Sequence, residues 1–180
     1  GGGLILTDRI RRFLSFNPSA GIVTCEAGMT LGGILQILVP QGWFLPVTPG
    51  TKFVTIGGAV ACDVHGKNHH VDGSISNFVI GLDLLLADGR FLSCSREENT
   101  DLFWATLGGM GLTGVILAVT LSLRRIDSAF IQVDYQSTKD LDETMTLLED
   151  QDKQHTYSVA WVDGLASGRH LGRGVLIHGD

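Results

Sequence analysis

The placement of glycine constrains this chain of 180 residues more than any other feature. Its 24 glycines follow no collagen-like period and gather in short motifs. Glycine is the default where a backbone needs positive φ or must approach another surface closely. Two motifs stand out. One is the stretch 48–70, TPGTKFVTIGGAVACDVHGKNHH. The other is Leu107-Gly108-Gly109-Met110-Gly111-Leu112-Thr113-Gly114, which leads into an apolar run.

The first motif reads as a loop followed by a short, tightly packed turn. Gly57 and Gly58 sit where a side chain would block a flat ligand or a close backbone. Ala59 and Ala61 extend that small-residue surface. Thr51 and Thr55 offer hydroxyls, and free backbone N–H groups in such a loop suit carbonyl or phosphate oxygens. His65, Lys67, His69 and His70 follow within six residues. Proton carriers and cations beside a small-residue platform suit a redox cofactor that gains negative charge on reduction. The second motif is neither a GxGxxG opening a helix nor a loop ending in GK[ST], which excludes a Rossmann or Walker reading.

Hydrophobic residues at 44% and charged residues at 18% describe a globular chain. Net charge is −6, and the basic groups Arg9-Ile10-Arg11-Arg12 and Arg124-Arg125 are too small to outweigh it. Nucleic acid is therefore excluded as a partner. Cys25, Cys62 and Cys94 are odd in number and lack CxxC spacing, which argues against disulfides and a structural zinc. No apolar run reaches the roughly 18 residues that span a bilayer. The chain opens Gly1-Gly2-Gly3-Leu4 without an initiator Met and stops just after Gly174–His178, so both ends read as cuts.

Periodicity and punctuation predict an alternation of strands and helices. Strands are expected at Ile22–Gly28, Trp43–Val47, Val115–Leu123, Phe130–Tyr135, Tyr157–Val162 and Gly174–Ile177. Phe78–Cys94 reads as a hairpin around Asp88-Gly89. Helices are expected from a Thr30 cap to Val39, from an Asn99 cap over Thr100–Leu107, and over Leu141–Leu148. Gly50–His70 fits neither a regular strand nor an amphipathic helix. Arg124-Arg125-Ile126-Asp127 is polar punctuation and marks a domain boundary. Trp104 is expected in the core with Leu102, Phe103 and Leu107. Glu149–Lys153 is expected to be a solvated loop.

The segments PGTKFVTIGGAVACDVHGKNHH, LLLADGRFLSC and NTDLFWATLGGMGLTGVI occur in an order that resembles the FAD-linked oxidoreductases of the vanillyl-alcohol-oxidase type, with a PCMH-type FAD-binding domain. YSVAWVDGLASGRHLGRG continues the likeness more weakly, so it spans nearly the whole chain. It is nearest the branch that acts on polyprenyl-phosphoribose. The resemblance implies an α+β chain: residues 1–125 are the last stretch of the first flavin subdomain and the second flavin subdomain, and 126–180 begin an antiparallel-sheet substrate domain. It implies FAD as cofactor, lined by Gly50, Thr55, Ile56, Gly57, Gly58, Cys62, Asp63, Val64, His65 and Ile116. Lys67, Asn68 and Trp161 are implied to face substrate. His65 and Lys67 are the candidates for polar roles in catalysis. The implied chemistry is oxidation of a sugar C2 hydroxyl, with hydride transfer to flavin N5, in cell-wall arabinan precursor synthesis. A polyprenyl-phosphate or other sugar is the implied substrate. An NAD-dependent reductase is the implied partner completing an epimerisation. The resemblance leaves the compartment open between the cytoplasm and the cell envelope or periplasm, a peripheral membrane position included.

The family's Gly-rich diphosphate loop is missing, and Gly1-Gly2-Gly3 would follow just after it. The family's later cysteine and lysine near the flavin would lie past Asp180. The chain alone is thus expected to bind FAD poorly and turn nothing over. Two rival functions stay open: an aldonolactone or alditol oxidase, and a degenerate flavin domain that binds a partner. His65, His69 and His70 have the spacing of metal ligands, but no carboxylate falls at zincin spacing and Gly66 disfavours a helix there, so no metal is expected. Cys62 is expected to be a small buried hydrophobe near the flavin, not a nucleophile.

Overall fold

A computed structural model describes residues 5–180 of the chain. Gly1-Gly2-Gly3, expected to follow the diphosphate loop, lie outside the described residues. The chain forms two compact units. One comprises residues up to Gly66 together with Ser74–Ala129, and the other Lys67–Gly73 together with Phe130–Asp180. Both combine helices with antiparallel sheet, an α+β arrangement.

In chain order the elements are β1 (Phe13–Asn17), β2 (Ile22–Glu26), α1 (Leu31–Leu38), β3 (Trp43–Phe44), α2 (Ile56–Ala61) and α3 (His69–Asp72). Then follow β4 (Val79–Leu85), β5 (Phe91–Ser95), α4 (Thr100–Thr106), β6 (Val115–Ser122) and β7 (Arg124–Arg125). The last are β8 (Val133–Thr138), α5 (Leu141–Gln151), β9 (Tyr157–Val162) and β10 (Gly174–Gly179).

The first unit is built on a five-stranded sheet of order β1-β2-β6-β4-β5. β6 is central, and its run VILAVTLS is rich in branched residues that favour a strand, with buried and half-buried positions largely alternating. Its Ile116, Val119 and Leu121 meet Val23 and Cys25 of β2 and Leu82 and Leu84 of β4 in one core. Helices α1 and α2 add Leu31, Ile34, Leu38, Ile56, Ala59 and Val60 to it, and α4 adds Phe103. Each of these large apolar side chains contributes about 1.5–3 kcal/mol when fully buried. Burial pushes the Cys25 thiol up to about 12, so it acts as an apolar side chain.

The second unit is a three-stranded sheet, β8-β10-β9. One face carries the buried Leu176, His178, Thr138 and Ser158. α5 packs on that face through Thr144, whose hydroxyl donates to Thr138 Oγ1 at 2.6 Å. Asp140 opens α5 by accepting from Glu143 N, and the Glu143 carboxylate reaches back to Lys139 N. The two side chains thus satisfy backbone amides on both sides of the helix start.

Several expectations need correction. Residues 56–61 are helical, because the Thr55 hydroxyl caps them. A short helix, His69–Asp72, forms just beyond Gly66. Arg124-Arg125 is a strand, paired with Trp43-Phe44. Asn99 sits at φ 48 and does not cap α4 with its side chain, which instead donates to Ser93 O. Trp104 is 47% exposed because α4 turns Phe103 inward. Arg96 covers the Trp104 ring at 4.8 Å. Glu149–Lys153 continues α5 into a 3-10 turn. β8 begins three residues later than expected, and β1 is an added strand that pairs with β2.

Candidate functional site: a small-residue cleft in the first unit

Thr55 organises the first glycine motif. Its backbone is extended, and its Oγ1 accepts from Gly58 N at 3.2 Å, which starts α2. Ile56 N donates to Met29 O and Gly57 N to Ala27 O, both at 2.8 Å. The first three amides of α2 are therefore satisfied within the protein. These three amides are not free for a carbonyl or phosphate oxygen, and α2 contributes to the motif through shape.

That shape is specific at two glycines. A Cβ at Gly57 would lie 2.7 Å from Ala27 Cβ and 3.0 Å from Ala27 O, so Gly57 lets α2 touch the end of β2. A Cβ at Gly58 would meet Thr55 Oγ1 at 3.2 Å and is otherwise open. Gly58 thus faces outward into a cleft of about 260 Å³. Ala27, Thr55, Gly57 and Ala61 line it from one side, and Gly111, Gly114, Val115 and Ile116 from the other, with Ile5 and Thr7 at its rim.

The second glycine motif supplies that opposite wall. Gly108, Gly111 and Gly114 all have positive φ. Gly114, at φ 155, lets the chain enter β6 beside Leu85 O. Gly108 N and Met110 N donate to Val60 O and Ala61 O, which fixes the loop to α2. Pairing between β2 and β6 stops at Glu26↔Ala118, so the first residues of β6 extend beyond β2 along the cleft.

Below the cleft, Arg12 clamps Glu26. Its Nη2 and Nε lie 2.7 and 2.9 Å from Oε1, and its backbone N donates to Oε2 at 2.6 Å. The Arg12 side-chain hydrogen bond, with the backbone one, holds the Glu26 carboxyl below the usual carboxylate range. The clamp fixes residues 7–12 against Ala27-Gly28. A Cβ at Gly28 would collide with the carbonyl oxygens of Thr7 and Ile10.

Of the residues expected to line FAD, this cleft gathers Thr55, Gly57, Gly58 and Ile116. Ile56 is fully buried in the core. Gly50 is exposed in the loop before α2. Cys62 is exposed, which corrects its expected burial: it ends α2 just before the chain turns at Asp63, φ 43. Asp63 organises its own loop, accepting from Ser74 Oγ at 2.9 Å and Ser76 N at 3.0 Å. Val64 packs at the core margin, and the exposed His65 bridges to Ser74. Ala27, Gly111 and Gly114 were absent from the sequence-derived set. The strand end at Glu26 and the GMGLTG spacing were the available signals.

Lys67, Asn68 and Trp161 belong to the second unit. Lys67 is exposed, while Asn68 is 1% exposed and donates from Nδ2 to Asp72 Oδ2 at 2.5 Å. Trp161 is 74% exposed on β9, opposite Val175. It borders an open cleft of about 710 Å³ shared with Ser137, Asp163 and Arg173. The Arg173 guanidinium lies 2.9 Å from Asp163 Oδ2. The Asp163 carboxyl sits below its usual range, first through the N–H of Leu165 and then through Arg173. Among the described residues, no group of three His, Cys, Asp or Glu is placed to hold a metal ion. No described helix is long and apolar enough to cross a membrane.

Small, mostly apolar walls with the two hydroxyls of Thr7 and Thr55 fit a flat ring system, and an outward-facing glycine marks where a Cβ would fill the space. The cleft is smaller than the roughly 300–1,000 Å³ of ordinary ligand pockets, so by itself it offers only part of a ligand site.

Comparisons with known proteins identify the family. A family model described as FAD binding domain matches residues 1–95. The chain is 40% identical, over 99% of its own length, to decaprenylphosphoryl-beta-D-ribose oxidase of Mycolicibacterium smegmatis, and covers 40% of that protein. It is 35% identical over 66% of its length to mitochondrial D-2-hydroxyglutarate dehydrogenase of Bos taurus, covering 23% of it. It is 32% identical over 61% of its length to human Delta(24)-sterol reductase, covering 21% of it. The chain thus spans about two fifths or less of the curated relatives it matches. With more than half of its residues matched to that model, the chain belongs to the FAD-binding domain family.

Proposed function

We propose that the protein carrying this chain is an FAD-dependent oxidoreductase. Its proposed substrate is a sugar bearing a secondary hydroxyl, in particular the C2 hydroxyl of a polyprenyl-phosphoribose. One observation carries the reading. The outward-facing Gly58 and the Gly111–Gly114 turn share one cleft in a chain 40% identical to an oxidase of that substrate class. FAD, when bound, supplies a two-electron acceptor for a hydride.

The chain's own residues have defined parts in this reading. Thr55 builds α2 and contributes one of the cleft's two threonine hydroxyls, the other being that of Thr7. Gly58, Ala61, Gly111 and Gly114 keep the wall flat, and Ile116 gives it an apolar floor that excludes water. Cys62, Asp63, Val64 and His65 continue the wall along the loop that Asp63 braces. Lys67 and Trp161 are assigned to substrate, Lys67 as a cation for a phosphate or hydroxyl and Trp161 as a flat apolar surface for a sugar face. His65 and Lys67 are the candidates for proton handling at the reacting hydroxyl. Asn68 contributes through the backbone shape it imposes. An NAD-dependent reductase acting on the resulting keto sugar would complete an epimerisation.

The test is anaerobic mixing of the purified full-length protein with a polyprenyl-phosphoribose analogue. The expected result is loss of the flavin band at roughly 450 nm. Loss with a free alditol or aldonolactone alone would move the assignment to that oxidase class. A protein with no flavin band after FAD is supplied would be a partner-binding module.

A further inference from the structure

In the second unit, the strap of residues 67–73 is tied to the rest of the unit by the main chain at one point and by an imidazole at another. Lys67 O accepts from Ser158 N on β9 at 2.9 Å. Three residues on, His70 Nε2 lies 3.0 Å from the carbonyl oxygen of His155. A carbonyl oxygen can only accept, so His70 carries a proton on Nε2. His155 is itself held firmly. Its Nδ1 lies 2.7 Å from Asp180 Oδ2, and Thr156 N donates to the other oxygen of that carboxylate at 2.7 Å. Its ring stacks on His178 of β10, with centroids 4.4 Å apart and planes 14° from parallel. His178 is 4% exposed.

The strap cannot hold this shape alone. Its helix α3 has four residues, far below the roughly 12–15 at which an isolated helix becomes even marginally stable. Its internal bonds include the Asn68–Asp72 side-chain pair and the turn amides of Val71, Asp72 and Gly73. Gly73, at φ 72, then releases the chain.

The geometry points to His70 as a positioning residue. Through the anchored His155 carbonyl, its Nε2–H fixes the strap and so holds Lys67 in one geometry toward the sugar substrate. This rests on the proposed function for the role of Lys67, but the tie itself can be measured without any substrate. A misplacement of about 1 Å at a reacting centre costs on the order of a hundredfold in rate. A loosened strap, sampling the correct geometry part of the time, is expected to lower kcat by roughly tenfold or more.

The experiment uses the flavin-loaded full-length protein in four forms: wild type, His70→Phe, His70→Asn and His70→Gln. Phe keeps a ring without a donor, and the Asn amide is too short to reach His155. The Gln amide nitrogen can occupy the Nε2 position. Hydrogen–deuterium exchange of the peptide covering 67–73 is measured beside kcat and KM. The expected result is about tenfold faster exchange and a kcat loss in Phe and Asn, with thermal midpoint and flavin absorbance unchanged and both effects reversed in Gln. Unchanged exchange in whichever of Phe and Asn folds overturns the tie, and so does failure of Gln to restore it. Faster exchange at wild-type kcat overturns the positioning role. Normal exchange behaviour in a protein that oxidises no sugar would refute the proposed function while leaving the tie intact.

Discussion

Replacing Gly57 and Gly58 separately with alanine splits the two jobs of the first glycine motif. At Gly57 the new Cβ would stand 2.7 Å from Ala27 Cβ, 3.0 Å from Ala27 O and 3.3 Å from Ala27 Cα. Carbon atoms pack best at about 3.5–4.0 Å, so α2 must withdraw by about 1 Å. Two of the three atoms are backbone and cannot rotate away. Overpacking of this kind costs about 1–3 kcal/mol. Withdrawal also strains the 2.8 Å bond from Gly57 N to Ala27 O, a bond class worth about 0.5–1.5 kcal/mol. Alanine returns about 0.5–1 kcal/mol of helix preference. The net expectation is a loss of about 2 kcal/mol. Gly58→Ala meets only Thr55 Oγ1, at 3.2 Å. Its stability should stay within about 0.5 kcal/mol of wild type. Its methyl, however, occupies the cleft, and about 1.4 kcal/mol of lost packing means roughly tenfold weaker FAD. Thermal unfolding of the flavin-free full-length protein and titration with FAD followed by flavin fluorescence measure both. Gly57→Ala as stable as wild type refutes the close approach to Ala27. Gly58→Ala with unaltered FAD affinity refutes the cleft as a flavin wall.

Other substitutions probe other parts. Glu26 has its carboxyl lowered by Arg12, so the clamp stabilises the fold above the ordinary value of 4.5 and loses that contribution as pH falls through the lowered folded value. Unfolding followed by circular dichroism from pH 6 downward should show a steeper acid loss in wild type than in Glu26→Gln. Leu176→Ala, at a fully buried position of β10, should cost about 2–5 kcal/mol, read as a lowered denaturant midpoint for the second unit. Trp161→Ala, at a 74% exposed site, should leave stability within about 0.5 kcal/mol while raising KM for the sugar, measured by steady-state turnover.

Much of the fold was legible because its signals are local. Thr30 and the Leu31, Ile34, Leu38 spacing marked α1, and Thr30 Oγ1 does accept from Gly33 N. Asp88-Gly89 marked the hairpin of β4 and β5. α2 was missed because IGGAVA lacks an amphipathic stripe: both of its faces are packed or small, and its start depends on the Thr55 hydroxyl. β7 was missed because two arginines become a strand only by pairing with Trp43-Phe44, with Arg125 stacked on Trp43 at 5.3 Å. At the site, glycine density located the cleft, but it could not show that Gly57 faces protein and Gly58 faces the open side. That distinction depends on where Ala27 lies, 30 residues earlier in the chain. The burial of Asn68 was hidden for the same reason: Asp72 and the strap's pairing with Ser158 turn it inward.

A crystal structure of the flavin-loaded full-length protein tests the central claim most directly. The account expects part of the FAD ring system in van der Waals contact, about 4 Å, with Gly58 Cα and the Ile116 side chain. FAD bound elsewhere, with a protein side chain filling the space between Gly58 and Gly111, would contradict it.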